Sequence, residues 1–254
     1  MLRRLLPFLA PSRPEPPAPA TPLVAVGDVH GHLELLETLH EAIAPWRTPP
    51  ARLIPLGDLI DRGPDSRGGI DWAMARQTAD PAAVEVLMGN HERMLLDLAE
   101  GLSDGLGWLR AGGDATLASF GIPPAEAAAL ATAGEGRLAE AAREAIGGAR
   151  LDWLAARPLW TGSGNVVAVH AAWNRALPPD RQDPDRLIWG DPRFYRLNPP
   201  APPWVVHGHV VTSPPGVKGG RIAVDSGAYL GHGLSAVHLA AGSPPAFRTV
   251  GARV

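Results

Sequence analysis

Three glycine-initiated motifs near the start of the chain combine residue types that bind metal ions with residue types that handle protons or anions. Residues 27–31 read Gly-Asp-Val-His-Gly, residues 57–63 read Gly-Asp-Leu-Ile-Asp-Arg-Gly, and residues 89–92 read Gly-Asn-His-Glu. Carboxylate and amide oxygens together with imidazole nitrogens suit Mn, Fe, Zn or Co, and a guanidinium binds anions. In the second motif Asp58 suits a metal ion, Asp61 an orienting role and Arg62 an anion.

Short apolar runs precede these motifs, which predicts that each motif begins where a buried strand ends. The runs cover residues 23–26, 53–56, 84–88, 166–169 and 205–206. The last two runs lead into His170 and into the sequence His207-Gly208-His209. Because sites on α/β sheets are built at the carboxyl ends of strands, we expect these side chains to meet at one edge.

The segments between the strands predict how the chain connects them. Apolar residues at helical spacing over 32–44, a Pro-Asp-Ser start at 64–66 and an apolar stripe over 91–101 predict three crossover helices. Together with the strands they form a β-α-β-α-β-α unit, for which right-handed connections are expected. The run 222–225 followed by 234–239 predicts an antiparallel, hairpin-like finish.

The middle of the chain has a different pattern. Residues 102–157 are rich in alanine and helical in spacing, which predicts a helical insert over the site, and residues 171–203 are proline-rich loops. Two mixed sheets packed face to face with helices outside would accommodate all of these elements. The predicted fold class is therefore α/β, a four-layer αββα sandwich with a helical insert.

Composition sets limits on function. The chain has 254 residues, a net charge of −3 and no cysteine, which excludes disulfides, thiolate catalysis and thiolate metal sites. No basic surface is indicated, so a nucleic-acid partner is not expected. No stretch is long and apolar enough to span a membrane, so we expect no membrane insertion and a cytoplasmic protein.

The N-terminal region is unlike the rest of the chain. Residues 1–10 carry a basic pair and an apolar run that Pro7 interrupts, a pattern that argues against a signal peptide. The next residues are proline-rich, so residues 1–22 are predicted to be a disordered tail. One domain is then predicted over residues 23–250.

The three motifs, the lone His170 after a strand and the late Gly208-His209 resemble those of the calcineurin-like metallophosphoesterases. Gly-Asn-His-Glu and Asp-Arg-Gly are similar to the phosphoprotein phosphatase branch of that family. The resemblance covers roughly residues 23–240, and its five motifs occur in order, each at a predicted strand end. The run from Trp108 to Leu117 also resembles a segment of bacterial members.

The resemblance implies a centre of two divalent metal ions, with manganese the first choice and iron, zinc, cobalt or nickel as alternatives. It assigns Asp28 and His30 to the first ion, Asp58 to both ions, and Asn90, His170 and His209 to the second. Two such ions, roughly 3.5–4 Å apart, neutralise phosphate oxygens, lower the pKa of a bridging water and align its attack.

By the same resemblance His91 is the general acid that protonates the leaving oxygen. Asp61 would pair with His91 and raise its pKa, and Arg62 would bind the phosphoryl oxygens. The family also supplies a second arginine, often two residues after a tryptophan, where this chain has Asp191. Arg193 is the predicted replacement, with Arg175 and Arg186 as alternatives.

The implied activity is metal-dependent hydrolysis of phosphate monoesters by a hydroxide that bridges the two metal ions. The favoured function is a protein serine/threonine phosphatase, whose partner is a phosphorylated protein or a small phosphoester. The alternative is a diadenosine tetraphosphate hydrolase, and a catalytically impaired binding protein is the third. Glu92 favours the phosphatase, since the hydrolases tend to carry aspartate there.

Several other polar and aromatic residues have less specific interpretations. Glu92 either orients nearby backbone or caps the helix, and Asp225 either supports a metal-binding histidine or forms a turn. Tyr229 resembles a position near the substrate, and Trp173 or Trp189 could form a substrate platform. We expect His207 to be structural, and His32 and His40 to lie on a helix surface.

Overall fold

The computed structural model describes residues 15–134, 136–196 and 202–252. The N-terminal apolar run and the first part of the predicted tail lie outside this range. The strands are β1 (Leu23–Val26), β2 (Arg52–Pro55), β3 (Trp160–Ser163), β4 (Val166–Val169), β5 (Trp204–His207), β6 (Gly216–Lys218), β7 (Arg221–Ala223), β8 (Leu234–Leu239) and β9 (Ala246–Val250).

The helices lie mainly between the strands and in the insert. The α-helices are α1 (Leu33–Ala42), α2 (Ser66–Ala79), α3 (Asn90–Ala99), α4 (Leu106–Trp108), α5 (Asp114–Ser119), α6 (Pro124–Ala133), α7 (Arg137–Ile146), α8 (Gly148–Ala155), α9 (Pro184–Trp189) and α10 (Pro192–Arg196). A π-helix over Leu109–Gly113 joins α4 to α5. None of the helices in the described residues has the length and apolar character needed to cross a membrane.

Two mixed sheets form the centre of the fold. The four-stranded sheet has the order β2-β1-β8-β9, and the five-stranded sheet has the order β3-β4-β5-β7-β6. Strand β1 runs parallel to β2 and antiparallel to β8, while β4, β5 and β7 run parallel to one another. The predicted fold class, an α/β structure with two mixed sheets, is confirmed.

Alternation of side chains along the strands separates the layers. Leu23 and Ala25 of β1 pack into the core between the sheets, whereas Val24 and Val26 pack against the helices on the other face. In β4, Val166 and Ala168 likewise face the core between the sheets. Burying a leucine or valine side chain contributes on the order of 1.5–3 kcal/mol, so this alternation fixes the register of both sheets.

The predicted third strand, residues 84–88, is extended but does not form a regular ladder. It forms an isolated parallel bridge between Leu53 and Val84, and its Leu87 N–H donates to the carbonyl of Pro55 at 3.0 Å. Pro55 has no N–H to return a bond, so the ladder is interrupted there. The segment still delivers residues 89–92 to the edge where β1 and β2 end.

The predicted antiparallel finish is wrong. Strand β7 belongs to the five-stranded sheet, and β8 belongs to the four-stranded sheet, where it pairs with β1 and β9. Between them the chain crosses from one sheet to the other through glycines in the left-handed region, such as Gly227 with φ 86° and Gly231 with φ 81°. An apolar run shows that a strand is buried but not which sheet contains it.

The proline-rich N-terminal segment was predicted to be disordered, but from residue 15 onward it packs against the five-stranded sheet. Asn165, in the turn between β3 and β4, accepts a hydrogen bond from the Ala18 N–H at 2.6 Å. The indole N–H of Trp204 donates to the carbonyl of Glu15 at 2.8 Å. The segment is thus held by side chains distant in sequence.

Candidate active site

The structure brings the six predicted metal ligands together at the carboxyl ends of the strands. Asp58 Oδ2 lies 3.7 Å from His30 Nε2, and Asp58 Oδ1 lies 3.4 Å from His170 Nε2. The remaining contacts are from Asn90 Oδ1 to His170 Nε2 at 3.0 Å and to His209 Nδ1 at 2.9 Å, and from the His209 N–H to Asp28 Oδ2 at 3.0 Å.

Left-handed backbone conformations are concentrated in this cluster. Among the described residues, the non-glycine residues with positive φ are His30, Asp58, Asp61, Arg62 and His209. A side chain in this region costs about 1–2 kcal/mol, and such residues cluster at sites whose surroundings hold them in place. The tight turns after β1, β2 and β5 therefore aim these side chains inward.

Backbone carbonyls orient two of the histidines. The carbonyl of Ile60 lies 3.0 Å from His30 Nδ1, and that of Leu56 lies 3.0 Å from His170 Nδ1. A carbonyl only accepts, so each Nδ1 carries the proton and each Nε2 presents a lone pair to the cluster. This arrangement is common for histidines that bind metal ions.

The buried acids are the strongest sign that cations belong here. Asp28, Asp58, Glu92 and Asp225 are each at most 2% exposed. Burial and the neighbouring carboxylates raise the pKa of Asp28, and burial raises the pKa of Asp225 to about 6. Burial would also raise the pKa of Asp58, but the surrounding histidines lower it overall.

Two groups of side chains could each hold a metal ion, and they share one residue. His30, Asp58 and His91 form one group, and Asp58, His170 and His209 form the other, each with ligand atoms within 4.8 Å of one another. A shared carboxylate between two such groups is the donor set of a two-metal site. The described residues could therefore hold metal ions, and Asp58 is common to both groups.

The helical insert contributes to the site through Asp61. His91 Nδ1 donates to Asp61 Oδ2 at 2.6 Å, and the indole N–H of Trp108 donates to the same oxygen at 2.8 Å. The Thr116 hydroxyl donates to Asp61 Oδ1 at 2.6 Å and accepts from the Asp61 N–H at 2.9 Å. Burial raises the pKa of Asp61, and these three donors oppose that shift.

Arg62 is held between the insert and the last connection of the fold. Its backbone N–H donates to the Gly112 carbonyl at 3.1 Å, and its guanidinium carbon lies 4.0 Å from the centre of the Tyr229 ring. Gly112 has a φ of 114°, and a Cβ there would lie 2.7 Å from an Arg62 side-chain atom. Only glycine allows this close approach, which leaves Arg62 Nη2 3.3 Å from His91 Nε2.

Glu92 both orients nearby backbone and caps α3, so its two predicted interpretations both hold. Its carboxylate accepts from the N–H groups of Asp58 at 2.9 Å, Leu59 at 2.7 Å and Gly89 at 2.9 Å. Burial and the nearby Asp58 raise the pKa of Glu92 to about 7, while these donors oppose the shift. Because both oxygens accept, the ionised form fits the geometry, and the side chain ties the second motif to the third.

The candidates for a second arginine are bound elsewhere. Arg193 is 67% exposed, and its Nη2 pairs with Asp191 at 3.1 Å. Arg186 also pairs with Asp191, and it contacts Asp183 at 3.1 Å. Arg175 donates to backbone carbonyls, among them that of Gly220 at 2.6 Å. Asp191 therefore neutralises arginines at the position where the family has one.

Sequence reasoning missed part of this site. Nothing in the local sequence indicated that Thr116 and Trp108 would bond Asp61, although the resemblance of their segment to bacterial phosphatases was the available signal. Tyr229 does lie at the site, with its ring edge-on to His30 at 5.2 Å. Trp173 is buried in an apolar cluster with Val169 and Leu187 and cannot form a substrate platform, whereas Trp189 is 44% exposed.

The fold and the clustered candidate ligands agree with one family of phosphoesterases. Residues 21–237 match the family model described as calcineurin-like phosphoesterase, and the chain belongs to this family. The predicted family membership is confirmed.

The relatives include two kinds of phosphoesterase. Serine/threonine-protein phosphatase 1 of Salmonella typhimurium is 42% identical over 35% of this chain and 38% of its own length. The symmetrical bis(5'-nucleosyl)-tetraphosphatase of Methylobacillus flagellatus is 29% identical over 58% of this chain and 42% of its own length. The matches thus span less than half of either relative.

Solved structures share the fold. A crystal structure provisionally described as a diadenosine tetraphosphatase aligns over 93% of this chain and 96% of its own, with a TM-score of 0.62 and 21% identity. A cold-active protein-tyrosine phosphatase of a psychrophilic Shewanella aligns over 89% of this chain and 77% of its own, with a TM-score of 0.57 and 18% identity. At these identities the likeness concerns the fold alone.

Proposed function

We propose that the protein hydrolyses phosphate monoesters as a protein serine/threonine phosphatase. The observation that carries the proposal is the position of His91 Nε2, which lies 3.3 Å from Arg62 Nη2 and 3.9 Å from Asp58 Oδ2. Neutral His91 accepts this hydrogen bond at Nε2, whereas protonated His91 makes both nitrogens donors, and a phosphoryl oxygen could then accept from both. An anion-binding group and a proton donor would then act on the same phosphate group.

Asp28, His30, Asp58, Asn90, His170 and His209 would hold the two metal ions, for which manganese is the proposed species. When bound, the ions would supply charge neutralisation and activation of a water molecule. The buried acids support this assignment, because cations would offset the repulsion between Asp28, Asp58 and Asp225.

His91 would donate its Nε2 proton to the leaving oxygen. Burial lowers the pKa of His91, but the hydrogen bond from His91 to Asp61 and the charges of Asp58 and Asp61 raise it overall, which favours the protonated acid. Asp61 holds the ring by Nδ1, so that Nε2 faces the ligand cluster. Arg62, stacked on Tyr229, would grip the phosphoryl oxygens and keep the leaving oxygen within reach of His91.

Arg193 remains the proposed second phosphate-binding arginine. In the structure its guanidinium is paired with Asp191, so it would have to exchange that carboxylate for a substrate oxygen. Such an exchange weakens the contact, since the phosphate must compete with a carboxylate that is already in place.

Hydrolysis of diadenosine tetraphosphate is the second candidate. The match to the tetraphosphatase of Methylobacillus flagellatus covers more of this chain than the match to the Salmonella phosphatase. The same ligands and the same Arg62–His91 pair would act on either substrate, so the distinction must come from residues outside the metal cluster.

A direct substrate comparison tests the proposal. The protein is stripped with chelator and reloaded with Mn²⁺, and turnover of a phosphoserine peptide, a dinucleoside tetraphosphate and a model phosphodiester is measured in parallel. The peptide is expected to turn over fastest, His91→Asn to abolish that turnover, and the matched variant His238→Asn, in β8, to retain it. Preference for the tetraphosphate would favour the second candidate. No turnover of any of the three with two metals bound would overturn both.

A further inference from the structure

A cluster of basic and aromatic side chains lies where α1 and α2 pack together, away from the metal ligands. The ring of His40, in the last turn of α1, meets the ring of Trp72 edge-on at 5.0 Å. The guanidinium of Arg76 lies over the Trp72 ring, 5.0 Å from its centre. Arg47 follows α1 and adds a second guanidinium.

This cluster contains unpaired nitrogen atoms. Among the described residues, the buried side-chain nitrogen and oxygen atoms without a hydrogen-bond partner are His40 Nδ1, Arg47 Nε and Trp72 Nε1. All three atoms belong to this one cluster. Of their residues, Trp72 is only 7% exposed. Buried polar groups are paired in nearly all native proteins, so an unpaired group indicates a missing partner.

The chemistry of the missing partner follows from the donors. Trp72 Nε1 and Arg47 Nε can only donate, and the neutral His40 ring can carry its proton on Nδ1 and donate as well. No carboxylate of the described residues pairs with Arg47 or Arg76, and Arg76 acts as a like charge toward Arg47. An oxyanion would accept from these N–H groups and would also offset the two neighbouring positive charges.

We propose that His40, Arg47, Trp72 and Arg76 form a binding site for a small oxyanion of the phosphate or sulfate type. The site is distinct from the metal cluster. Leu33, the first residue of α1, lies near the His30 loop, and His40 lies at the other end of this helix of 10 residues, roughly 10–15 Å away. His40, which was expected on a helix surface, is half-buried, because its ring packs against Trp72 of α2.

Crystals of the metal-loaded protein soaked in tungstate provide the direct test. Tungsten gives an anomalous signal, and a peak is expected within roughly 3 Å of Arg47 Nε and Trp72 Nε1, in addition to any peak at the metal cluster. A peak at the metal cluster alone, with ordered water on the three nitrogens, would overturn the proposal.

A solution test uses the variant Arg47→Gln/Arg76→Gln. In chloride its thermal midpoint is expected to equal or exceed that of the wild type, because the repulsion is gone. On adding phosphate at constant ionic strength, its midpoint should rise less than that of the wild type. The control Arg137→Gln/Arg248→Gln removes two exposed positive charges and should keep the full phosphate response, while acetate in place of phosphate should give no difference between the proteins. An equal phosphate response in all three proteins would contradict the proposal.

Discussion

The indole N–H of Trp108 donates to the Asp61 carboxylate at 2.8 Å, to the same oxygen that accepts from His91. The predicted helical insert therefore does more than cover the site. Because Trp108 and Thr116 both bond Asp61, the orientation of the His91 ring depends on a segment far along the chain. This relationship makes the insert a positioning element for the proposed general acid.

Thr116→Val tests this dependence at nearly constant volume. It removes the donor to Asp61 Oδ1 and one of the two acceptors of the Asp61 N–H, the other being the Ser66 hydroxyl. We expect kcat for a phosphoserine peptide to fall about 10–100-fold, part of the ~10²–10⁴-fold that general acid catalysis supplies. Turnover of p-nitrophenyl phosphate should fall much less, because its leaving group needs no proton. Thr116→Ser should restore the peptide activity, and the exposed Thr132→Val is the matched control. An equal loss with both substrates would show that Thr116 acts only on stability.

Arg62→Lys tests the proposed phosphate contact. Lysine keeps the charge but loses the planar fork and the stacking on Tyr229. A charge-assisted hydrogen bond contributes about 1.5–3 kcal/mol, so KM and the inhibition constant of phosphate should both rise roughly 10–100-fold. Steady-state kinetics with Arg248→Lys as the control would measure this. An unchanged inhibition constant would exclude Arg62 from the phosphate site.

Glu92→Gln tests the link between the second and third motifs. One carboxylate oxygen becomes an amide nitrogen that faces backbone N–H groups, so at least one buried donor loses its acceptor. The free energy of unfolding should fall by about 1–3 kcal/mol, as measured by urea denaturation. Glu37→Gln, exposed on α1, should leave it unchanged. If the two variants are equally stable, the three hydrogen bonds contribute nothing to the fold.

The half-buried His40 should make stability depend on pH. Burial, with Arg47 and Arg76 nearby, lowers the pKa of His40 from 6.5 to about 4. The unfolded chain therefore binds a proton at His40 before the folded protein does, and stability falls as pH drops through this window. His40→Gln should flatten the dependence of the urea midpoint on pH between these values, and the exposed His232→Gln should not. Phosphate should also flatten it in the wild type, since a bound oxyanion favours the charged ring.

Local sequence was sufficient to predict that the six candidate ligands would lie together. Each ligand directly follows an apolar run or opens a helix beside one, so the strand ends could be placed without knowing how the sheets pack. The left-handed turns after β1 and β2 depend on the same short motifs. The spacing of Asp58, Asp61 and Arg62 therefore carried both the chemistry and the geometry.

Features that depend on distant contacts could not be predicted in this way. Trp108 reads as a core tryptophan and Thr116 as an ordinary helical residue until the insert docks on Asp61. Pro55 interrupts a ladder only because residues 84–88 lie beside it. The segment from residue 15 is ordered by Asn165 and Trp204, and no local property of a proline-rich stretch specifies such partners.

The left-handed backbone at His30, Asp58, Asp61, Arg62 and His209 has a consequence for laboratory evolution. Glycine or asparagine tolerates this conformation better than histidine or arginine does. A selection for heat resistance alone would therefore favour replacements at the very positions that the proposed chemistry requires. Variants improved in this way would keep both sheets and lose turnover, so any such library must be screened for hydrolysis in every round.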